Sequence, residues 1–297
     1  MPVLECKKLN KSFGKKHILK DVDLVLNEGD ILGFIGPNGA GKTTTIKLIL
    51  GLQTIDSGTV TINGYDIEKD FVKAIKEVGA IVENPDMYTY LSGYDNLKLS
   101  ARLYNIKKDR IDEVVKLVGL ENRINDKVSK YSLGMKQRLG IALAILNKPK
   151  LLILDEPTNG LDPEGIKEMR NLLKLLAKKE KMAILVSSHI LSELDSFCTK
   201  ITIIQNGVIV ETNDIKKIKK VSNKLTYLFE VSDTSNINLD NINIINEKEF
   251  KIETEKENIP DIIVNLVKSN IKIYKVYEER LTLEEAFLRK TGGNIID

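Results

Sequence analysis

Gly36-Pro37-Asn38-Gly39-Ala40-Gly41-Lys42-Thr43 decides how the chain is read. It has the spacing of a phosphate-binding loop, a glycine-rich turn closed by Lys-Thr. The flanks are those such a loop needs: the apolar run Ile31 to Ile35 reads as a buried strand leading in, and the pattern from Gly41 through Leu50 is helical. Glycines here let successive backbone N–H groups converge on β- and γ-phosphates, while the N-terminus of the following helix adds partial positive charge. Lys42 then neutralises phosphate charge, and the Thr43 hydroxyl is suited to ligate Mg²⁺.

A phosphate loop alone names neither the nucleotide nor the reaction, so a second acidic element matters. Leu151-Leu152-Ile153-Leu154-Asp155-Glu156 is a run of aliphatics ending in two carboxylates, which reads as a buried strand presenting acids at its carboxyl end. Asp155 is suited to hold Mg²⁺ through water. Glu156, one residue on and pointing differently, is suited to orient and polarise an attacking water.

Outward from these motifs, short strand-like and helix-like stretches alternate, as in an α/β core. Residues 3–35 suggest a small antiparallel sheet leading into the buried strand. Strand patterns follow at Thr59 to Ile62, Ala80 to Val82, Ala183 to Ser187 and Ile201 to Ile204, with a helical face from Pro163 to Lys178. Between about 86 and 135 the strand signal is lost, and spacings such as Ile111, Val114, Val115 and Val118 predict a helical insertion. Near residue 221 the composition shifts to Asn, Ile, Lys and Glu. This predicts a first domain over 1–220 and a second over 221–297, with strands at Leu225 to Val231, Ile242 to Ile245 and Ile271 to Val276. Thr282 with Glu285 forms a capping box for a last helix, Leu281 and Ala286 can staple it, and Gly292 can end it.

Composition narrows the class. With 42% hydrophobic and 29% charged residues the chain is that of a folded globular protein, and a net charge of +3 gives no general attraction to nucleic acid. No apolar run approaches the roughly 18–20 residues that span a bilayer. Met1-Pro2-Val3-Leu4-Glu5 has no basic or apolar leader, so a cytosolic chain is expected. Cys6 and Cys198 share no ligand-like spacing and read as ordinary, partly buried thiols.

Taken together, these motifs resemble the nucleotide-binding subunits of the ABC transporter superfamily over residues 1 to about 220. The resemblance implies a P-loop NTPase (RecA-like) α/β core with an antiparallel β subdomain and a helical subdomain, followed by a small C-terminal α+β domain. Tyr131-Ser132-Leu133-Gly134-Met135-Lys136-Gln137-Arg138 resembles the family's signature, normally Leu-Ser-Gly-Gly-Gln; Ser132 and Gly134 match, whereas Tyr131, Leu133 and Met135 depart. Read without the family, Ser132 is a helix N-cap and Asp162-Pro163 a helix start. By resemblance Asp162 is the aspartate of the interface loop, His189 the switch histidine that contacts the γ-phosphate, and Phe13 the aromatic on which adenine stacks. A lone histidine or an aromatic near a sheet would otherwise read as structural.

The implied cofactors are ATP and Mg²⁺. The nucleotide would be held by Phe13, Gly36, Pro37, Asn38, Gly39, Ala40, Gly41, Lys42, Thr43 and Thr44, with Ser132, Gly134 and Asp162 closing the site. Metal ligands would be Thr43, Glu83 and Asp155, and the reacting groups Glu156, His189 and Lys42. Glu83 stands where the family usually has glutamine. That glutamate, the words Tyr131 to Arg138 and the tail Thr282 to Leu288 suit ATPases of the bacitracin-resistance and lantibiotic-immunity type. The implied partners are a second copy in a head-to-tail dimer and integral membrane permease subunits, placing the chain on the cytoplasmic face of the membrane, with no nucleic acid. The rival reading is an ABC ATPase of translation or repair, which commonly carries paired cassettes or long coiled-coil insertions; a further one makes the second domain a regulatory or dimerisation module.

Overall fold

In the computed structural model, which describes residues 1–83, 85–194, 196–214, 225–235, 237, 239 and 242–279, the chain begins with an antiparallel hairpin of β1 (Leu4–Phe13) and β2 (Lys16–Leu26). β4 (Ser57–Ile62) pairs with the other side of β1, and β5 (Tyr65–Asp66) completes a sheet in the order β2-β1-β4-β5. Burial alternates along the last residues of β2, as expected of a sheet with one face on the core and one in water.

The second sheet runs β10-β9-β3-β8-β7-β6. β3 (Ile31–Ile35), β7 (Leu151–Leu154) and β8 (Ala183–Ser188) are buried at every residue, which is why their sequences read as unbroken apolar runs. β6 (Val78–Ile81) and β9 (Lys200–Gln205) join them in parallel register, and β10 (Val208–Asp214) closes one edge antiparallel to β9. The β9–β10 turn is Asn206-Gly207, both at positive φ, a pairing that marks a tight hairpin. A Cβ on Gly207 would lie 1.9 Å from the Ile18 carbonyl oxygen, so the turn admits no side chain. Its N–H donates to Ala40 and its carbonyl accepts from Lys20, joining the phosphate loop to β2 through backbone alone.

α1 (Lys42–Ile49) sits in a core shared by the two sheets. Its Ile46, Leu48 and Ile49 are fully buried among Leu4, Leu9, Leu24, Phe34, Ile62, Leu151 and Leu185. After α2 (Phe71–Lys76) and β6 come α3 (Gly93–Leu103) and α4 (Lys108–Leu117), the helical insertion the sequence predicts, and then α5 (Leu133–Ala144). Ser92 caps α3 by accepting from the Asp95 N–H. α6 (Pro163–Lys179) buries Met169, Leu172, Leu173 and Leu176, and α7 (Leu191–Leu194) follows β8.

The chain divides into two units, Met1–Ile215 and Lys216–Ile295. The second holds an antiparallel sheet β12-β13-β11-β14, built from β11 (Leu225–Val231), β12 (Ile242–Asn246), β13 (Glu249–Thr254) and β14 (Ile273–Glu279). α8 (Ile259–Lys268) supplies Ile262 and Leu266 to a core centred on Phe229 and Phe250, whose rings stack 4.9 Å apart. Strand β13 and helix α8 are not flagged by the sequence pattern. Thr282, Glu285 and the other signals for a last helix lie outside the described residues.

Among the described residues no helix is long and apolar enough to cross a membrane. Cys6 and Cys198 are buried thiols in no disulfide, more enclosed than their sequence setting implies, and burial pushes the Cys6 thiol far above its ordinary pKa.

Candidate functional site

Parallel strands β3, β8, β7 and β6 end side by side, and the residues that follow them gather at one rim of the sheet, where open α/β sheets bind ligands. Gly36 turns the chain out of β3. A Cβ there would lie 2.3 Å from the Ile204 carbonyl oxygen, so only glycine lets the loop leave the strand so close to β9. Lys42 is almost fully buried, and its ammonium donates to the Gly36 carbonyl at 2.6 Å and the Pro37 carbonyl at 3.4 Å. The same Nζ lies 3.4 Å from Glu156 Oε1.

The carboxylates beyond β7 are tied to both neighbours. Thr43 Oγ1 donates to Asp155 Oδ2 at 3.0 Å. On the other side Ser187, fully buried at the end of β8, does two jobs with one hydroxyl: it donates to Asp155 Oδ1 and accepts the Glu156 N–H at 2.9 Å. That second bond matters because Glu156 has φ +49°, in the left-handed region, a conformation that costs a non-glycine residue about 1–3 kcal/mol. The turn aims the Glu156 side chain between Lys42 and His189, whose Nδ1 lies 2.9 Å from Glu156 Oε2. Thr158 Oγ1 donates to Glu193 Oε2 at 2.6 Å, which links the loop after Glu156 to α7.

Ser132, Gly134 and Asp162 form a second cluster. Ser132 Oγ accepts from the Met135 N–H and caps α5, and Asp162 Oδ1 accepts from the Gly165 N–H and caps α6. The two helix N-termini border one open pocket of about 420 Å³, which Arg138 and Glu164 also line. Leu133, where the family signature has glycine, lies against Gly160 and lines this pocket half-exposed. Tyr131 turns inward: its hydroxyl donates to the Arg123 carbonyl at 2.8 Å and burial pushes its pKa up. That departure from leucine anchors the start of α5 to the helical insertion.

Phe13 lies apart again, 48% exposed at the β1–β2 hairpin. Glu83 follows β6, but its carboxylate is exposed and meets Lys47 of α1 at 3.4 Å, not the Thr43–Asp155 pair. Two clusters therefore hold most of the residues the sequence nominates, with Phe13 and Glu83 each outside both. Sequence reasoning misses Ser187 and Glu193. A serine within the buried run Ala183 to Ser188 is a usable signal, because a hydroxyl in such a strand needs a partner.

The profile of the family described as ABC transporter matches residues 19–159. The uncharacterized ABC transporter ATP-binding protein YhcH of Bacillus subtilis (strain 168) is 46% identical, over 98% of this chain and 96% of that one. The bacitracin transport ATP-binding protein BcrA of Bacillus licheniformis is 39% identical over 99% of both chains. A solved structure described as the ATP binding subunit of an ABC transporter superposes with a TM-score of 0.65 and 31% identity, covering 74% of this chain and 92% of its own.

Proposed function

The chain belongs to the ATP-binding subunits of ABC transporters, ATPases that work with membrane permease subunits, and from that membership we propose that it powers export of an antimicrobial peptide or another amphipathic antibiotic. Likeness to the bacitracin transport protein along the whole of both chains carries this reading. The β12-β13-β11-β14 unit is then an accessory domain following an ATPase domain that ends near residue 220, and the protein sits on the cytoplasmic face of the membrane against its permease.

In the proposed site, the phosphate loop and Lys42 hold the triphosphate, and Glu156 orients the attacking water and takes its proton while His189 fixes the carboxylate through Oε2. Mg²⁺ fits the donors present. Thr43 Oγ1 and Asp155 Oδ2 already converge, both are hard oxygen ligands, and no group of three or more His, Cys, Asp and Glu among the described residues forms a cage of its own. Thr43 and Asp155 would therefore hold the ion together with phosphate oxygens and water, where it would neutralise charge on the phosphates. Glu83 would have to leave Lys47 to join them. Because Ser132 and Gly134 lie in a cluster apart from Lys42, we take the complete site to form between two head-to-tail copies, each closing the other's nucleotide.

Isolating the full chain from membranes with a mild detergent is expected to bring down a polytopic permease, and cells lacking the pair should become more sensitive to a membrane-active peptide antibiotic. Recovery of ribosomes or DNA in place of a permease would sink the transport reading. Ser187→Ala is expected to lower kcat roughly tenfold and raise the Mg²⁺ needed for half-maximal activity, since a lost hydrogen bond to a charged group is worth about 1.5–3 kcal/mol. A magnesium titration of ATPase activity checks it, and an unchanged curve would assign Ser187 to packing alone.

A further inference from the structure

Lys11 is a buried cation that the phosphate site does not use. It retains 7% of its surface, and along β1 it shares a side with Leu9 and Phe13. Its ammonium is held by oxygens on the approach to β4: the Thr54 carbonyl at 2.7 Å, Thr54 Oγ1 at 3.3 Å and Asp56 Oδ1 at 2.9 Å. The other oxygen of the same carboxylate, Asp56 Oδ2, accepts the Ser12 N–H at 2.6 Å. Asp56 thus grips β1 twice, immediately before Phe13. The Lys11 ammonium and the Ser12 N–H in turn hold the Asp56 carboxyl below the usual carboxylate range.

Burying a lysine is costly unless its charge is fully partnered, so a cation placed here invites the question of what it holds. The answer lies beside it. Lys11 Nζ sits over the Phe13 ring, 5.4 Å from the centroid, while nearly half of that ring faces solvent. An exposed phenylalanine at a hairpin would otherwise move among rotamers, and a base stacking on it would have to order it first. A cation over one face also draws on the ring's π density, which favours an electron-rich purine on the other.

We propose that Lys11 and Asp56 are positioning residues for the adenine end of the nucleotide, fixing Phe13 as a preformed, cation-backed platform on which the purine stacks. The proposal rests on the reading that Phe13 takes adenine, and it adds a recognition element in the Thr54–Asp56 turn, outside every nucleotide motif the sequence shows.

The test separates base from phosphates. Binding of MgATP and of magnesium tripolyphosphate, which has no base, is measured by calorimetry on the full chain carrying Lys11→Met, Asp56→Asn or Phe13→Ala. Lys11→Met and Asp56→Asn are each expected to weaken ATP roughly five- to tenfold, the range set by a partly desolvated cation–π contact and its tether, with tripolyphosphate unchanged. Two variants are used so that a loss of the hairpin fold is told apart from a loss of positioning: Lys11→Met removes the buried cation, whereas Asp56→Asn keeps the shape and removes the charge. If both ligands weaken together, or neither does, Lys11 and Asp56 are structural and the proposal fails. If Phe13→Ala leaves ATP binding intact, the platform reading itself is wrong; if Phe13→Ala weakens ATP while the other two do not, only the tether is.

Discussion

Glu156→Gln is expected to lower steady-state ATP turnover by roughly 10²–10⁴, the usual contribution of a positioned general base, while MgATP binding stays within a few-fold of the parent. The structure explains why the effect should fall on turnover. Glu156 lies outside the phosphate loop, and its carboxylate pairs with Lys42 and His189 at the rim where the loop ends. Glutamine keeps the length, and the backbone bond from the residue 156 N–H to Ser187 Oγ does not involve the side chain, so the bent backbone should persist. What is lost is a group able to accept a proton from water. In the proposed head-to-tail arrangement the variant should also accumulate as an ATP-bound dimer, because the step that opens it is blocked. Phosphate release and size-exclusion chromatography with light scattering, each with and without MgATP, read the two effects. A variant that hydrolyses ATP at the parent rate would remove Glu156 from the reaction.

Lys42→Ala should act one step earlier, on binding. The Lys42 ammonium is the one charge drawn into the phosphate loop itself, held by the Gly36 and Pro37 carbonyls and by Glu156. A triphosphate offers oxygens that are stronger acceptors than those carbonyls, so the side chain is preorganised to exchange weak partners for charged ones. Removing it should weaken MgATP by at least about tenfold, a loss equivalent to one charge-assisted contact, and abolish measurable turnover. Calorimetry gives the first quantity and phosphate release the second. Arginine is a poor substitute here, because its broad planar head does not fit where a point charge is enclosed by loop carbonyls. Parent-like affinity in Lys42→Ala would place the triphosphate elsewhere.

Much of the molecule was legible beforehand because its strongest signals are local. Strands β3, β7 and β8 are buried on both faces and so announce themselves as aliphatic runs, while the phosphate loop and the acidic pair are contiguous words at their ends. Strand β10 and helix α8 were harder. The strand's burial alternates only weakly, although Asn206-Gly207 before it is a usable hairpin signal. The helix mixes Ile259, Ile262, Ile263, Val264 and Val267 with Pro260, so β-branched residues mask a helical period that only the buried pair Ile262 and Leu266 reveals. At the site, residues whose effect depends on a neighbour's backbone were not readable. Ser187 works through the Glu156 N–H, and Asp56 through the Ser12 N–H, contacts that exist only once distant segments meet. Glu83 illustrates the converse, since its sequence position is suggestive but its side chain is turned to Lys47.

Gly207 carries one more consequence. Its two backbone bonds, to Ala40 in the phosphate loop and to Lys20 in β2, rivet that loop to the hairpin that bears Phe13. With no space for a side chain at the rivet, the link is made by backbone hydrogen bonds alone and does not depend on side-chain motion. On the proposed reading of Phe13 and of antibiotic export, the two bonds hold the distance between loop and platform, and random mutagenesis selected for growth on the exported antibiotic should return position 207 as glycine every time.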